Sequence, residues 1–179
     1  MILLPKGFIY VGDHLNSKWD YFFLLIGIIG AFITLFGLSQ SPAQIYYVIG
    51  SSLLLITSIY FRLFFFIFLE IILITGHGVI LLGISSVLQL AFPILLCFQL
   101  LVFYYLSGQL NNIYLLIGIT GIALLSVGFA HENQWIFFFG STAIAAYAFY
   151  NSRNYPASLL WAVLNTLFAI IAVITICTY

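Results

Sequence analysis

Residues 21–38, YFFLLIGIIGAFITLFGL, return in altered form as residues 112–129, NIYLLIGITGIALLSVGF. At an offset of 91 residues Gly27, Gly30 and Gly37 fall on Gly118, Gly121 and Gly128, and the run LLIGI is repeated. Aliphatic matches between two apolar segments carry little information. Matched glycines carry more, because small residues at this spacing form a helical stripe on which a neighbouring helix can settle closely. Downstream, QIYYVIGSS at 44–52 answers QWIFFFGST at 134–142, now at an offset of 90. Arg62 then answers Arg153, and Glu70 answers Trp161, at 91 again. The pattern predicts a duplicated unit that gained and lost a residue in its loops, in preference to two unrelated helices converging on small-residue packing.

Composition sets the solvent in which this unit folds. The 179 residues are 65% hydrophobic and 4% charged, with four basic and four acidic side chains balancing to zero. Water-soluble domains carry about 25% charged residues, so the expectation is an integral membrane protein whose first partner is the lipid bilayer. No basic patch exists to neutralise phosphates, which excludes nucleic acid as a partner. Cys97 and Cys177 stand singly in apolar runs and read as small buried hydrophobes, not as a disulfide or metal pair.

Seven spans fit with little left over: residues 20–38, 43–61, 63–83, 86–107, 112–130, 134–150 and 156–177. The boundary at Arg62 matters most, since without a turn there every later segment would reverse. With the N-terminus inside, Lys6, Lys18, Arg62 and Arg153 all fall on cytoplasmic connections, and the C-terminus lies outside. The fold class expected is therefore an all-α polytopic membrane protein, seven transmembrane helices in a parallel 3+1+3 repeat, in a bacterial cytoplasmic membrane. Residues 1–19 form an interfacial segment with no removable signal pattern, on which Phe8, Ile9, Tyr10 and Trp19 suit the headgroup zone and His14 reads as an interfacial polar residue. Residues 20–84 are the first three-helix unit, with Asp20 as its expected cap, 85–108 the linker helix, and 109–179 the second unit.

A few polar residues at membrane depth indicate where function would lie. Glu70 is the one acidic side chain placed well inside a span, and His77 follows two turns later between Gly76 and Gly78. Each has a plainer reading, as a hydrogen bond to another helix or as a packing histidine. Trp161 and Asn165 lie one turn apart in the last span, opposite Glu70 and Ile74 under the repeat, and offer an indole face and an amide for a ligand. An interfacial tryptophan and an interhelical asparagine bond would look the same. Gln89 and Gln99 flank Pro93, whose missing N–H permits a kink, and Gln99 completes the candidate solute-binding set.

Enzyme signatures fail one by one. Residues 131–134 read HENQ and lack the second histidine of HExxH; GxSxG, a Walker sequence and paired cysteines are absent. No cofactor or metal is expected. The 3+1+3 organisation, with GIIGAFITLFGLSQSPAQ at 27–44 and WAVLN at 161–165, resembles the SWEET sugar transporters with their PQ-loop relatives, and the nicotinamide riboside transporter group. The chain departs from them in having Pro42-Ala43-Gln44 in place of Pro-Gln, and Ile74 opposite Asn165. The resemblance implies facilitated movement of a small uncharged polar solute contacted by Trp161 and Asn165. Glu70 leaves proton linkage open, a non-transporting scaffold or a small intramembrane enzyme are the alternatives, and assembly into a homo-oligomer is undecided.

Overall fold

The structure is a computed structural model, and it describes residues 17–178. The readings made of Phe8, Ile9, Tyr10 and His14 lie outside the described residues. Among those described, seven long helices follow one another: α1 Lys18–Gly37, α2 Ala43–Tyr60, α3 Phe64–Leu81, α4 Ser86–Leu106, α5 Ile113–His131, α6 Gln134–Ser152 and α7 Leu159–Thr178, the last entered through a 3-10 turn at Pro156–Ser158. Six of these, α6 being the exception, are long and apolar enough to cross a membrane. Their outer faces carry Phe32, Phe36, Phe98, Ile174 and many other large exposed hydrophobics, a surface suited to lipid and not to water. The protein is thus a multi-span, all-α membrane bundle.

Local chemistry sets the helix ends. Ser17, not Asp20, caps α1. The Ser17 side chain accepts from the Trp19 N–H, and Asp20 sits at the third helical position and accepts from the Ser17 N–H at 2.8 Å in a capping box. Asn112 caps α5 through the Tyr114 N–H, and Asn133 caps α6 through the N–H groups of Trp135 and Ile136. Four helices stop on a residue with positive φ: Arg62 after α2, Gly83 after α3, Gly108 after α4 and Glu132 after α5. At Arg62 the next N–H, of Leu63, turns back to the Ser58 carbonyl at 2.9 Å, which breaks the apolar stretch of 43–81 into two antiparallel helices.

In each half the middle helix is the packing centre: α2 lies against α1 and α3, and α6 against α5 and α7. Contacts recur between the halves. A Cβ on Gly30 would come within 2.8 Å of the Gly50 carbonyl, and one on Gly121 within 3.0 Å of the Gly140 carbonyl. Gly37 abuts Tyr46 and Tyr47, and Gly128 abuts Phe137. Phe23 stacks on Tyr60 with ring centroids 4.0 Å apart, and Tyr114 stacks on Tyr150 at 4.2 Å. The halves then touch reciprocally. α1 meets α7, where Gly27 faces Leu160, and α5 meets α3, where Gly118 faces Phe65. Helix α4 bridges α3 and α5 and leaves much of its surface exposed.

Candidate functional site

Two cavities with polar residues on their walls lie along the seam between the halves. The larger, about 740 Å³, opens at the end of the bundle where α2 turns into α3, α4 into α5 and α6 into α7. Its rim carries Arg62, Gln109, Asn111 and Asn151, and its walls carry Tyr104, Tyr147, Tyr150 and Tyr155. Apolar helix interiors end here, so the polar groups come from the turns and from the last turns of α4 and α6. The floor is aromatic: Phe65 packs on Tyr147 at 4.0 Å, and Phe66 stacks on Trp161 at 4.6 Å with the rings inclined by 25°. A chamber of this size with phenols and amides around an aromatic base is the type of enclosure that takes a small polar molecule.

Directly behind that floor lies the cluster expected from the sequence. Trp161 is fully buried, and its Nε1–H donates to Glu70 Oε1 at 2.7 Å. The interfacial placement considered for Trp161 therefore does not apply. Glu70 is 1% exposed, and its second oxygen, Oε2, has no hydrogen-bond partner. Asn165 donates from Nδ2 to the Trp161 carbonyl at 3.0 Å, one turn back along α7. Ser51 of α2 is a further polar neighbour of the Glu70 carboxyl.

A second, closed cavity of about 20 Å³ adjoins Glu70 and is lined also by Thr34, Ser51, His77, Asn165 and Phe168. It has room for one water-sized occupant and no more. At its far side the His77 ring lies between Tyr47, 4.6 Å away, and Phe129, 4.4 Å away. Ser141, fully buried on α6, also has an unpartnered hydroxyl.

Glu70, His77, Trp161 and Asn165 are thus brought together, but as one sealed cluster, with Glu70 and Trp161 in direct contact. Gln99 is not among them: it sits on the exposed face of α4 and lines neither cavity. Gln89 turns inward on its own helix start, donating to the Ile84 carbonyl at 2.7 Å. Cys97 is buried as expected, whereas Cys177 is exposed near the end of α7. Sequence reasoning missed the larger chamber altogether. Its signal was available in the clustering of Tyr and Asn at 104–115 and 147–155, which reads equally as an interfacial aromatic belt.

The arrangement is a polar chamber open at one end, an aromatic partition, and a hydrogen-bonded acid behind it. Compared with protein-family models, with curated proteins and with solved structures, the chain matches none, so its family is not set by likeness and its class is that of a multi-span all-α membrane bundle.

Proposed function

We propose that this protein is a carrier for a small uncharged polar solute, built as a parallel 3+1+3 repeat of seven crossings with α6 as the sixth. The observation that carries the reading is the 740 Å³ chamber, set between α3 and α4 on one side and α5 and α6 on the other, with Trp161 and Glu70 immediately beneath its floor. In a carrier built from two repeats the path runs along their interface, and access alternates by rocking one against the other. Here the recurring glycine contacts and the reciprocal α1–α7 and α3–α5 contacts support two equivalent units with such an interface. Opening the partition requires Trp161 to leave Phe66 or Glu70. The chamber then communicates with the polar residues around His77.

Amides and phenols line the chamber, with no paired nucleophile and base, which favours binding over catalysis. Apart from Arg62 on the rim, the donors and acceptors of the lining are neutral, which favours an uncharged solute. The chamber side is the cytoplasmic one in this reading, because Arg62 and Arg153 lie at that end. A second reading, a non-transporting scaffold, is favoured by one observation: the Glu70–Trp161 bond is closed and fully buried, as a bond that only fastens two helices would be.

Uptake of a solute library into liposomes holding the purified protein tests the choice. Selective flux that is lost in Asn151→Ala and Asn165→Ala, both still folded, is the expected result. No binding and no flux across the library, with both variants folded, would leave the scaffold reading standing.

A further inference from the structure

We propose that the small cavity beside Glu70 is a binding site for a single sodium ion. The starting point is the Glu70 carboxyl. One oxygen takes the Trp161 indole N–H at 2.7 Å, while the other is buried without a hydrogen bond on the wall of a cavity of about 20 Å³, where Ser51 is the carboxyl's further polar neighbour. An ionised carboxylate at this depth needs a counter-charge, because neither lipid nor packed side chains solvate it. No lysine or arginine lines the cavity: Arg62 belongs to the chamber above, and His77, the one histidine on the wall, holds its ring between Tyr47 and Phe129 at the far side.

The oxygens available around the cavity come from four helices. They are Thr34 of α1, Ser51 of α2, Glu70 of α3 and Asn165 of α7. Thr34 already donates its hydroxyl proton to the Gly30 carbonyl at 2.8 Å, and Asn165 uses its amide N–H on the Trp161 carbonyl at 3.0 Å. With those protons spent within their own helices, a hydroxyl lone pair and an amide oxygen remain as acceptors. A donor set of one carboxylate and several neutral oxygens suits a hard monovalent cation and leaves the site electrically neutral. Two features argue against other ions. A divalent ion would want more carboxylates than the one present. A transition metal would recruit His77, whose ring is instead packed between Tyr47 and Phe129. The cavity volume admits an ion stripped of water and not a hydrated one.

The site joins both halves, since Thr34, Ser51 and Glu70 come from the first and Asn165 from the second. Sodium bound there would hold the halves together around the Trp161 partition. The inference stands independently of the carrier reading, because it concerns occupancy of a cavity and not flux of a solute.

The test uses the whole purified protein in detergent and sodium alone as the probe. Thermal unfolding is followed in choline chloride, potassium chloride and sodium chloride at equal ionic strength, alongside equilibrium binding of radioactive sodium. Sodium at about tenfold its dissociation constant should raise the midpoint by about 3–6 °C over choline, with potassium giving little of that shift. Glu70→Gln should abolish both the sodium-specific shift and the bound radioactivity. Should Glu70→Gln not fold, Thr34→Val and Asn165→Leu, which keep the carboxyl and remove neutral ligands, should each weaken sodium binding. Three outcomes would overturn the proposal: equal stabilisation by all three salts, a sodium effect that survives Glu70→Gln, or a midpoint that follows pH but not sodium, which would make a proton the counter-charge.

Discussion

Trp161 donates its indole N–H to Glu70 across 2.7 Å, and the two residues stand 91 positions apart, the offset that also carries Gly27 onto Gly118. Positions equivalent under the internal match thus touch each other. In an arrangement with a twofold axis along the membrane normal, only positions near that axis can meet their own counterparts. On the proposed repeat the pair would stand at the axis between the two units. It also makes the two positions chemically complementary, a donor on one side and an acid on the other, where a strict repeat would have placed like against like.

Removing the indole donor should be costly out of proportion to the volume lost. Trp161→Phe retains a ring against Phe66 but removes the indole donor from Glu70 Oε1 and leaves Ser51 as the carboxyl's remaining polar neighbour, at a cost of about 1–3 kcal/mol. Thermal unfolding of Trp161→Phe, Glu70→Gln and the double variant forms a cycle that checks it. The two changes should be non-additive by at least about 0.5 kcal/mol. Additive losses would mean that the bond contributes no coupling.

The close helix contacts should be intolerant of a single methyl group, and equally so in the two halves. Gly30→Ala and Gly121→Ala each drive a Cβ to within about 3 Å of a facing carbonyl and should destabilise by about 1–3 kcal/mol. Gly78→Ala meets open space and should be neutral or stabilising by up to about 1 kcal/mol. Unfolding midpoints of the three variants in one detergent decide it.

Side-sensitive reporters check the number of crossings, with α6 as the critical segment because it is the least apolar of the seven. Fusions after Arg62, Gln109 and Arg153 should register one side of the membrane, the cytoplasm. Fusions at Pro42, Ser85 and Glu132 should register the other. A common side for Glu132 and Arg153 would remove α6 as a crossing and with it the 3+1+3 arrangement.

Labelling with a membrane-impermeant thiol reagent should distinguish the two cavities. In a background lacking Cys97 and Cys177, Asn151→Cys on the chamber rim should react quickly from the chamber side, whereas Leu73→Cys, beside Glu70, should be protected. A carrier should show Leu73→Cys becoming reactive when its solute is supplied. Rapid labelling of Leu73→Cys in the resting protein would contradict a sealed partition.

The sequence by itself determined the class and the linear plan. Hydropathy over windows of a membrane's thickness and the break at Arg62 are local properties, so the helix limits follow closely from the residues that occupy them, although the cap of α1 proved to be Ser17 with Asp20 as its capping-box partner. The glycine stripes were legible too, because a missing side chain permits close packing whatever the neighbour is. Only the tertiary structure decided that Trp161 is buried against Glu70, that Gln99 faces outward, and that Tyr104, Tyr147, Tyr150 and Asn151 enclose a chamber. The reason is physical. In lipid both faces of a helix are apolar, so hydrophobic periodicity no longer says which face turns inward, and the rotation of each helix is set by packing against neighbours that the linear order does not name.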